Sequence, residues 1–130
     1  NVIYTRTNDV YEAPARKARD ANAANADYFI SIHRNSSPYN NQYTGIESLV
    51  YNRNSIAGRI AENINRNLTG VGFANQGIQE RTNLAVLRRT NMPAVLVEVG
   101  FINTDRDNAR FDSRFNEIAE AIADGILDSI

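Results

Sequence analysis

The most apolar stretch of the chain, residues 94–99, constrains the fold more than any other feature of the sequence. It reads AVLVEV and is introduced by Pro93. Its apolar residues run continuously instead of alternating with polar ones, a pattern typical of a strand buried on both faces of a sheet. The sequence therefore predicts a central strand in a sheet that other elements cover on both sides.

Segments with strand and helix patterns alternate along the rest of the chain. Helical spacing of apolar or helix-forming residues predicts helices over about 13–26, 56–68 and 111–126. Short β-prone segments predict strands at 2–5, 28–32, 45–51, near 78, at 84–87 and at 94–99. This alternation indicates an α/β layered fold with a mostly parallel central sheet. The 130 residues suit a single domain spanning 1–130.

Composition excludes some classes of function. The net charge is −1, and the arginines are scattered among acidic residues, whereas proteins that bind nucleic acid usually carry a basic surplus or stripe. There is no cysteine, hence no disulfide and no thiolate metal site. No apolar run approaches the roughly 20 residues of a membrane span. The first residues also lack the basic, apolar and small-residue order of a secretory signal.

Two residues stand out as candidates for chemistry. His33, the only histidine, directly follows an apolar strand and precedes a long polar loop; ligands of α/β sheets bind at the carboxyl ends of strands, and a neutral imidazole binds metals. Glu98 interrupts the most apolar strand, where an ionised carboxylate is costly unless it is paired or functional. The alternatives are an exposed histidine at a strand end and a salt bridge from Glu98 to Arg88 or Arg89.

Weaker candidates surround these two. Asn35 follows His33 closely enough to bind polar groups of a substrate, although asparagine is also common in loops. Glu47 lies in the strand at 45–51, either lining the same cleft or facing solvent. Arg88 either holds an anionic substrate or is a charged residue at the end of a strand. The irregular loop at 34–44 is long enough to form one wall of a groove.

Several segments together resemble the zinc-dependent N-acetylmuramoyl-L-alanine amidases of autolysins, sporulation lysins and phage endolysins. The most specific are SIHRN at 31–35 and PAVLVEVGFIN at 93–103, and TRTND at 5–9, GIE at 45–47 and VLR at 86–88 occur in the family's order. The resemblance implies a three-layer α/β sandwich with a twisted sheet, a peptidoglycan substrate and a location in the bacterial cell wall, either secreted or released by a phage at lysis.

The resemblance also implies roles for individual residues. The family holds Zn²⁺ with a histidine, a glutamate and a second histidine; His33 matches the second histidine and Glu98 matches the catalytic glutamate. The other two ligands, the first strand and the first helix precede the TRTND segment in the family, so we expect them to be missing here. A sheet without that strand has an unpaired edge, which favours dimerisation.

Two other functions are compatible with the sequence. Zinc carboxypeptidase-like enzymes also combine histidines, a glutamate ligand and a later catalytic glutamate in an α/β fold, and would release C-terminal amino acids. A non-catalytic cell-wall binding module that has lost its metal would bind sacculi without hydrolysing them. The absent ligands favour the second alternative, and the retained Glu98 opposes it.

Overall fold

Four strands form one sheet whose central members are the most apolar segments of the chain. The computed structural model describes residues 1–130. Its elements are α1 (Pro14–Ala23), β1 (Phe29–Asn35), β2 (Ile46–Val50), α2 (Ile56–Val71), β3 (Asn75–Glu80), α3 (Ala85–Arg88), β4 (Ala94–Phe101), α4 (Asp105–Ser113) and α5 (Phe115–Leu127). The strand order is β1-β4-β2-β3. β4, the last strand along the chain, therefore lies inside the sheet.

The sheet is mostly parallel, as predicted. β1 pairs with β4 and β2 pairs with β3 in parallel, whereas β2 and β4 are antiparallel. Every residue of β4 except Glu98 is buried, which confirms the prediction of a central strand covered on both faces. β1 and β3 are the edges, and Ile32 on β1 is 59% exposed.

Side chains of β4 alternate between two apolar layers. Val95, Val97 and Val99 pack in a core with α2 and α5, whereas Ala94 and Leu96 pack on the other face in a smaller core with residues of α1 and α3. The sheet therefore lies between two helical layers, which confirms the three-layer arrangement. Glu98 follows Leu96 on the face of the smaller core, because side chains two apart in a strand point the same way.

Helix α2 covers the larger core and follows its sequence signals closely. The Ser55 hydroxyl accepts a hydrogen bond from Gly58 N–H at the first turn, and Gly72 ends the helix at φ 115°, a left-handed cap that glycine adopts without strain. Apolar residues recur every four positions along this helix, and three of them, Ile60, Ile64 and Leu68, are completely buried. The fourth, Ile56 in the first turn, is half exposed.

Three predictions of secondary structure are wrong. Residues 2–5 form no strand, because no neighbouring strand pairs with them. Residues 84–87 are also not a strand. Leu84 is the N-cap of α3, and Val86 and Leu87 of this helix are both buried. A short apolar run is compatible with a strand or a helix, and tertiary contacts select one of them. The last helix is two helices, separated at Arg114, whose side chain donates to the carbonyl of Val71. None of the helices is long and apolar enough to cross a membrane.

Candidate active site

A row of three ionisable side chains crosses three neighbouring strands of the sheet. His33 of β1 is the register partner of Glu98 of β4, and Glu98 is also the partner of Glu47 of β2. Residues paired in register project on the same face, with Cβ atoms about 5 Å apart across an antiparallel pair. The structure thus brings the two candidates His33 and Glu98 together and places Glu47 beside them.

The row lies where the smaller apolar core ends. Leu49 and Leu96, each two residues from a member of the row, are buried under α1 and α3. In contrast, Glu47 and Glu98 are only half-buried, and His33 is the most exposed of the three. The row is therefore a polar floor open to solvent at the border of an apolar layer, which is where a substrate can reach it.

Glu98 is the most perturbed member of the row. Its Oε2 atom is buried and has no hydrogen-bond partner. Burial, and secondarily the charge of Glu47, raise the pKa of Glu98 above the ordinary 4.5, because both disfavour the ionised form. The alternative of a salt bridge to Arg88 or Arg89 is wrong, since both ion pairs of the chain lie elsewhere.

His33 has the properties of a neutral imidazole. Partial burial of the ring, followed by the positive charges of Lys17 and Arg6, lowers the pKa of His33 from 6.5. Its Nε2 atom lies 2.8 Å from the hydroxyl of Ser31, which precedes it by two residues on the same face of β1. A neutral histidine has one nitrogen with a free electron pair, and that is the form that binds metals.

Glu47 is held by a residue that the sequence analysis missed. The side-chain amide of Gln79 on β3 donates to the Glu47 carboxylate over 2.6 Å. This bond fixes the carboxylate next to Glu98, so Gln79 belongs to the site although it is one strand further away. No signal in the sequence could have identified it, because the order β4-β2-β3 follows from tertiary structure alone.

Asn35 lies two residues after His33 in β1, whereas no contact joins Arg88 to the row. Asn35 ends β1, and its Oδ1 atom accepts a hydrogen bond from the N–H of Ser36, so its amide nitrogen is free to donate. Arg88 ends α3 and is exposed, with no ion pair. Both are available to a substrate, but neither forms a hydrogen bond with His33, Glu98 or Glu47.

The polar loop after β1 is fastened to the turn after β4. Asn103 donates through its side-chain amide to the carbonyl of Ser37 over 2.7 Å, and its side-chain oxygen accepts from Ser37 N–H. Further along the loop, Asn41 N–H donates to the Asn103 carbonyl, and Asn41 accepts from Asp105 N–H. The loop therefore has a defined position at the carboxyl ends of β1 and β4, as a wall of a groove requires.

The side chains of this chain do not form a complete metal site. No group of three or more histidine, cysteine, aspartate or glutamate side chains is arranged to hold a metal ion. A catalytic zinc site has three protein ligands, and His33 fits one such position because its neutral imidazole is accessible. Within the row, neither His33 nor Glu47 donates a hydrogen bond to the buried Oε2 of Glu98.

Comparison with known proteins identifies the family. Residues 1–128 match the sequence profile of the N-acetylmuramoyl-L-alanine amidases. The chain belongs to this family. The endolysin of Bacillus phage SPP1 is 34% identical over 98% of the chain and 49% of the phage protein, and the sporulation-specific N-acetylmuramoyl-L-alanine amidase of Bacillus subtilis is 32% identical over 97% and 49%. The chain thus spans about half the length of these two relatives.

Solved amidase structures have the same fold. The N-acetylmuramoyl-L-alanine amidase of Clostridium difficile 630 superposes with a TM-score of 0.90 at 32% identity, covering 98% of this chain and 70% of that one. The catalytic domain of CwlV from Bacillus (Paenibacillus) polymyxa superposes with a TM-score of 0.87 at 33% identity, covering 98% and 71%. These superpositions confirm the α/β fold that the sequence resemblance implied.

Proposed function

We propose that this amidase-family chain, together with metal ligands that its own residues do not supply, hydrolyses the amide bond between the lactyl group of N-acetylmuramic acid and the L-alanine of the peptidoglycan stem peptide. One observation carries the proposal: Glu98 is a half-buried acid with an unpartnered oxygen, in register with His33 on an open face of the sheet. Family membership supplies the substrate class. The expected place of action is the bacterial cell wall.

Glu98 acts in this proposal as the general base. Its carboxylate takes a proton from the attacking water and then delivers it to the amine that leaves. A carboxyl group that burial has made more basic suits both steps, because the best catalytic pKa lies near the working pH.

Zinc dependence is part of the proposal, with His33 as one ligand. Bound zinc would lower the pKa of the water and polarise the scissile carbonyl. The remaining ligands would have to come from outside these 130 residues, since the row supplies only one histidine. Arg88 and Asn35 are proposed to bind the stem peptide through charge and through the free amide nitrogen, and Glu47 to shape the floor of the cleft.

The function is tested by incubating the full-length protein with purified sacculi. New N-terminal alanine, together with glycan strands that have lost their peptides, is the expected product pattern. Release of C-terminal amino acids would instead identify a carboxypeptidase. Binding to sacculi without any soluble product would identify a cell-wall binding module and would overturn the proposed activity.

The pH dependence of activity is expected to respond to Glu47. A general base must be ionised, so the acid limb of kcat/KM should have its midpoint above pH 4.5, the ordinary value for a glutamate. The Glu47→Gln variant removes one charge that raises the pKa of Glu98, so its acid limb should move to lower pH. Glu62→Gln, on the exposed side of α2, is the control and should not move it. If the acid limb of Glu47→Gln stays at the wild-type pH, the charge of Glu47 does not affect the pKa of Glu98.

The 130 residues alone are expected to bind zinc weakly and to be inactive. A single histidine cannot replace three protein ligands, so elemental analysis after dialysis should find little zinc on this chain. His33→Ala in the full-length protein should in turn lower its zinc content and its activity together. Stoichiometric zinc on the His33→Ala protein would mean that His33 is not a ligand.

The free edge of β1 is expected to support self-association of the 130-residue chain. An edge strand exposes unpaired backbone donors and acceptors, which pair readily with another strand, and Ile32 adds exposed apolar surface there. Sedimentation should show dimers whose fraction rises with concentration. A charge at the edge, Ile32→Lys, should give monomers, whereas Ile56→Lys on α2 should not. A wild-type chain that stays monomeric at all concentrations would contradict this expectation.

A further inference from the structure

The strand that carries Glu98 changes its register directly after this residue. His33 pairs with Glu98, but two residues later Asn35 pairs with Phe101 instead of Gly100. β4 therefore contains one extra residue, which is a β-bulge, and the ladder continues beyond it with a bond from Ile102 N–H to the Asn35 carbonyl. Bulges beside functional sites change the direction in which a neighbouring side chain points.

The bulge depends on Gly100. Its φ is +75°, in the region that glycine adopts without strain. A Cβ at this position would also lie 3.0 Å from the Cβ and 3.2 Å from the Cγ of Asp107. No side chain fits here without moving Asp107, so the position of Asp107 requires a glycine at residue 100.

Arg34 holds the bulge from the side of β1. Its Nε donates to the carbonyl of Val99 over 2.6 Å, and one Nη lies 3.5 Å from the carbonyl of Phe101. These are the two carbonyls on either side of Gly100. The same Nη donates to Asn108 over 2.7 Å, and the guanidinium stacks on the ring of Phe111 with 4.1 Å to its centroid. A planar group with several donors in fixed directions is required for this set of contacts.

Asp107 holds the bulge from the side of α4. This fully buried carboxylate accepts hydrogen bonds from Phe101 N–H over 2.8 Å and from Gly45 N–H over 3.0 Å. It also accepts from the hydroxyl of Thr44. Gly45 immediately precedes β2, so one carboxylate joins the strand that carries Glu47 to the bulge that follows Glu98.

We propose that Arg34 and Asp107 are positioning residues for the reaction, which set the place of the Glu98 carboxylate by fixing the bulge at Gly100. This inference rests on the proposed function. Neither residue faces the open row: Arg34 is adjacent to His33 in a strand and projects to the opposite face, and Asp107 is buried. They act on the site through the backbone of β4 and not by touching a substrate.

The decisive variant is Arg34→Lys. Lysine keeps the positive charge but cannot reach the Val99 carbonyl and Asn108 together, so the bulge should relax. A displacement of about 1 Å at a catalytic group can lower turnover by up to roughly 100-fold, so we expect kcat to fall 10- to 100-fold with KM nearly unchanged. The assay temperature is chosen well below the Tm, so that a folded fraction near one removes any effect of lost stability.

Arg110→Lys is the matched control. Arg110 also stacks on a phenylalanine, with 5.7 Å to the centroid of Phe73, but it contacts no carbonyl of the bulge. It should lose stability without losing kcat. Asp107→Asn provides a second test: its oxygen can still accept from Phe101 N–H and its amide can donate to Thr44, so it should retain most of kcat, whereas Asp107→Ala should not.

Crystal structures of wild type and Arg34→Lys separate this inference from the proposed function. A displaced Glu98 carboxylate and faster amide exchange at Phe101 in the variant support the positioning role even if wild type releases no alanine from sacculi, in which case only the proposed function fails. An Arg34→Lys protein with an unmoved Glu98 and wild-type kcat would overturn the inference.

Discussion

Glu98→Gln in the full-length protein is expected to lower the turnover of peptidoglycan by roughly 10²- to 10⁴-fold, the usual contribution of a general base. Glutamine has nearly the same shape as glutamate but cannot take the proton of the attacking water. Because the glutamine remains in β4 beside His33, binding of sacculi and zinc content should stay as in wild type. The measurement is the rate of appearance of N-terminal alanine, compared with Glu47→Gln at its own pH optimum.

A stability measurement on Glu98→Gln distinguishes a loss of catalysis from a loss of folded protein. Burial raises the pKa of Glu98, so between the unfolded and folded pKa values the folded protein binds more protons than the unfolded chain. The stability contributed by the protonated group is therefore present at low pH and is lost as the pH rises through the folded pKa. Glu98→Gln should consequently be at least as stable as wild type at neutral pH. If the Glu98→Gln protein keeps full turnover, Glu98 is not the general base.

Asp107→Ala is expected to lower the free energy of unfolding by about 3–5 kcal/mol. Alanine leaves the N–H groups of Gly45 and Phe101 and the hydroxyl of Thr44 without their acceptor, and each buried unsatisfied donor costs about 1–3 kcal/mol. Chemical denaturation monitored by circular dichroism measures the loss.

Asp105→Ala is the matched control for this variant. Asp105 begins the same helix but is exposed, and its side chain has one hydrogen bond, of 3.4 Å from Asn41. Its removal should change stability by less than about 0.5 kcal/mol, as is usual for surface substitutions. Equal losses in the two variants would mean that the buried network around Asp107 does not stabilise the fold.

Local patterns predicted the elements that are long or strongly apolar. The stripe of Ile60, Ile64 and Leu68 and the apolar run of β4 specify their structure through neighbours in sequence. Short segments were less informative: residues 84–87 satisfy a strand or a turn of helix equally well, and packing against α1 selected the helix. Residues 2–5 are β-prone, but they have no strand beside them with which to pair.

The candidate site divides in the same way. Glu98 was recognisable from sequence because an acid in an apolar strand is costly, and His33 because it follows an apolar strand pattern, although β1 in fact continues to Asn35. Gln79 and Asp107 were not recognisable, since their partners Glu47, Gly45 and Phe101 lie in other strands and turns. The bulge could not be predicted from sequence either, because one extra residue in β4 is recognised only when its pairing with β1 is known.

The sequence by itself determined that β4 is a central strand, that its single acid is out of place in an apolar core, and that a histidine lies near the end of another strand. These follow from the free energies of burying local groups. Only the tertiary structure decided that β1, β4 and β2 are neighbours, in a register that places His33, Glu98 and Glu47 in one row. Strand order and register arise from the packing of two apolar layers between distant segments, and no local pattern contains that information.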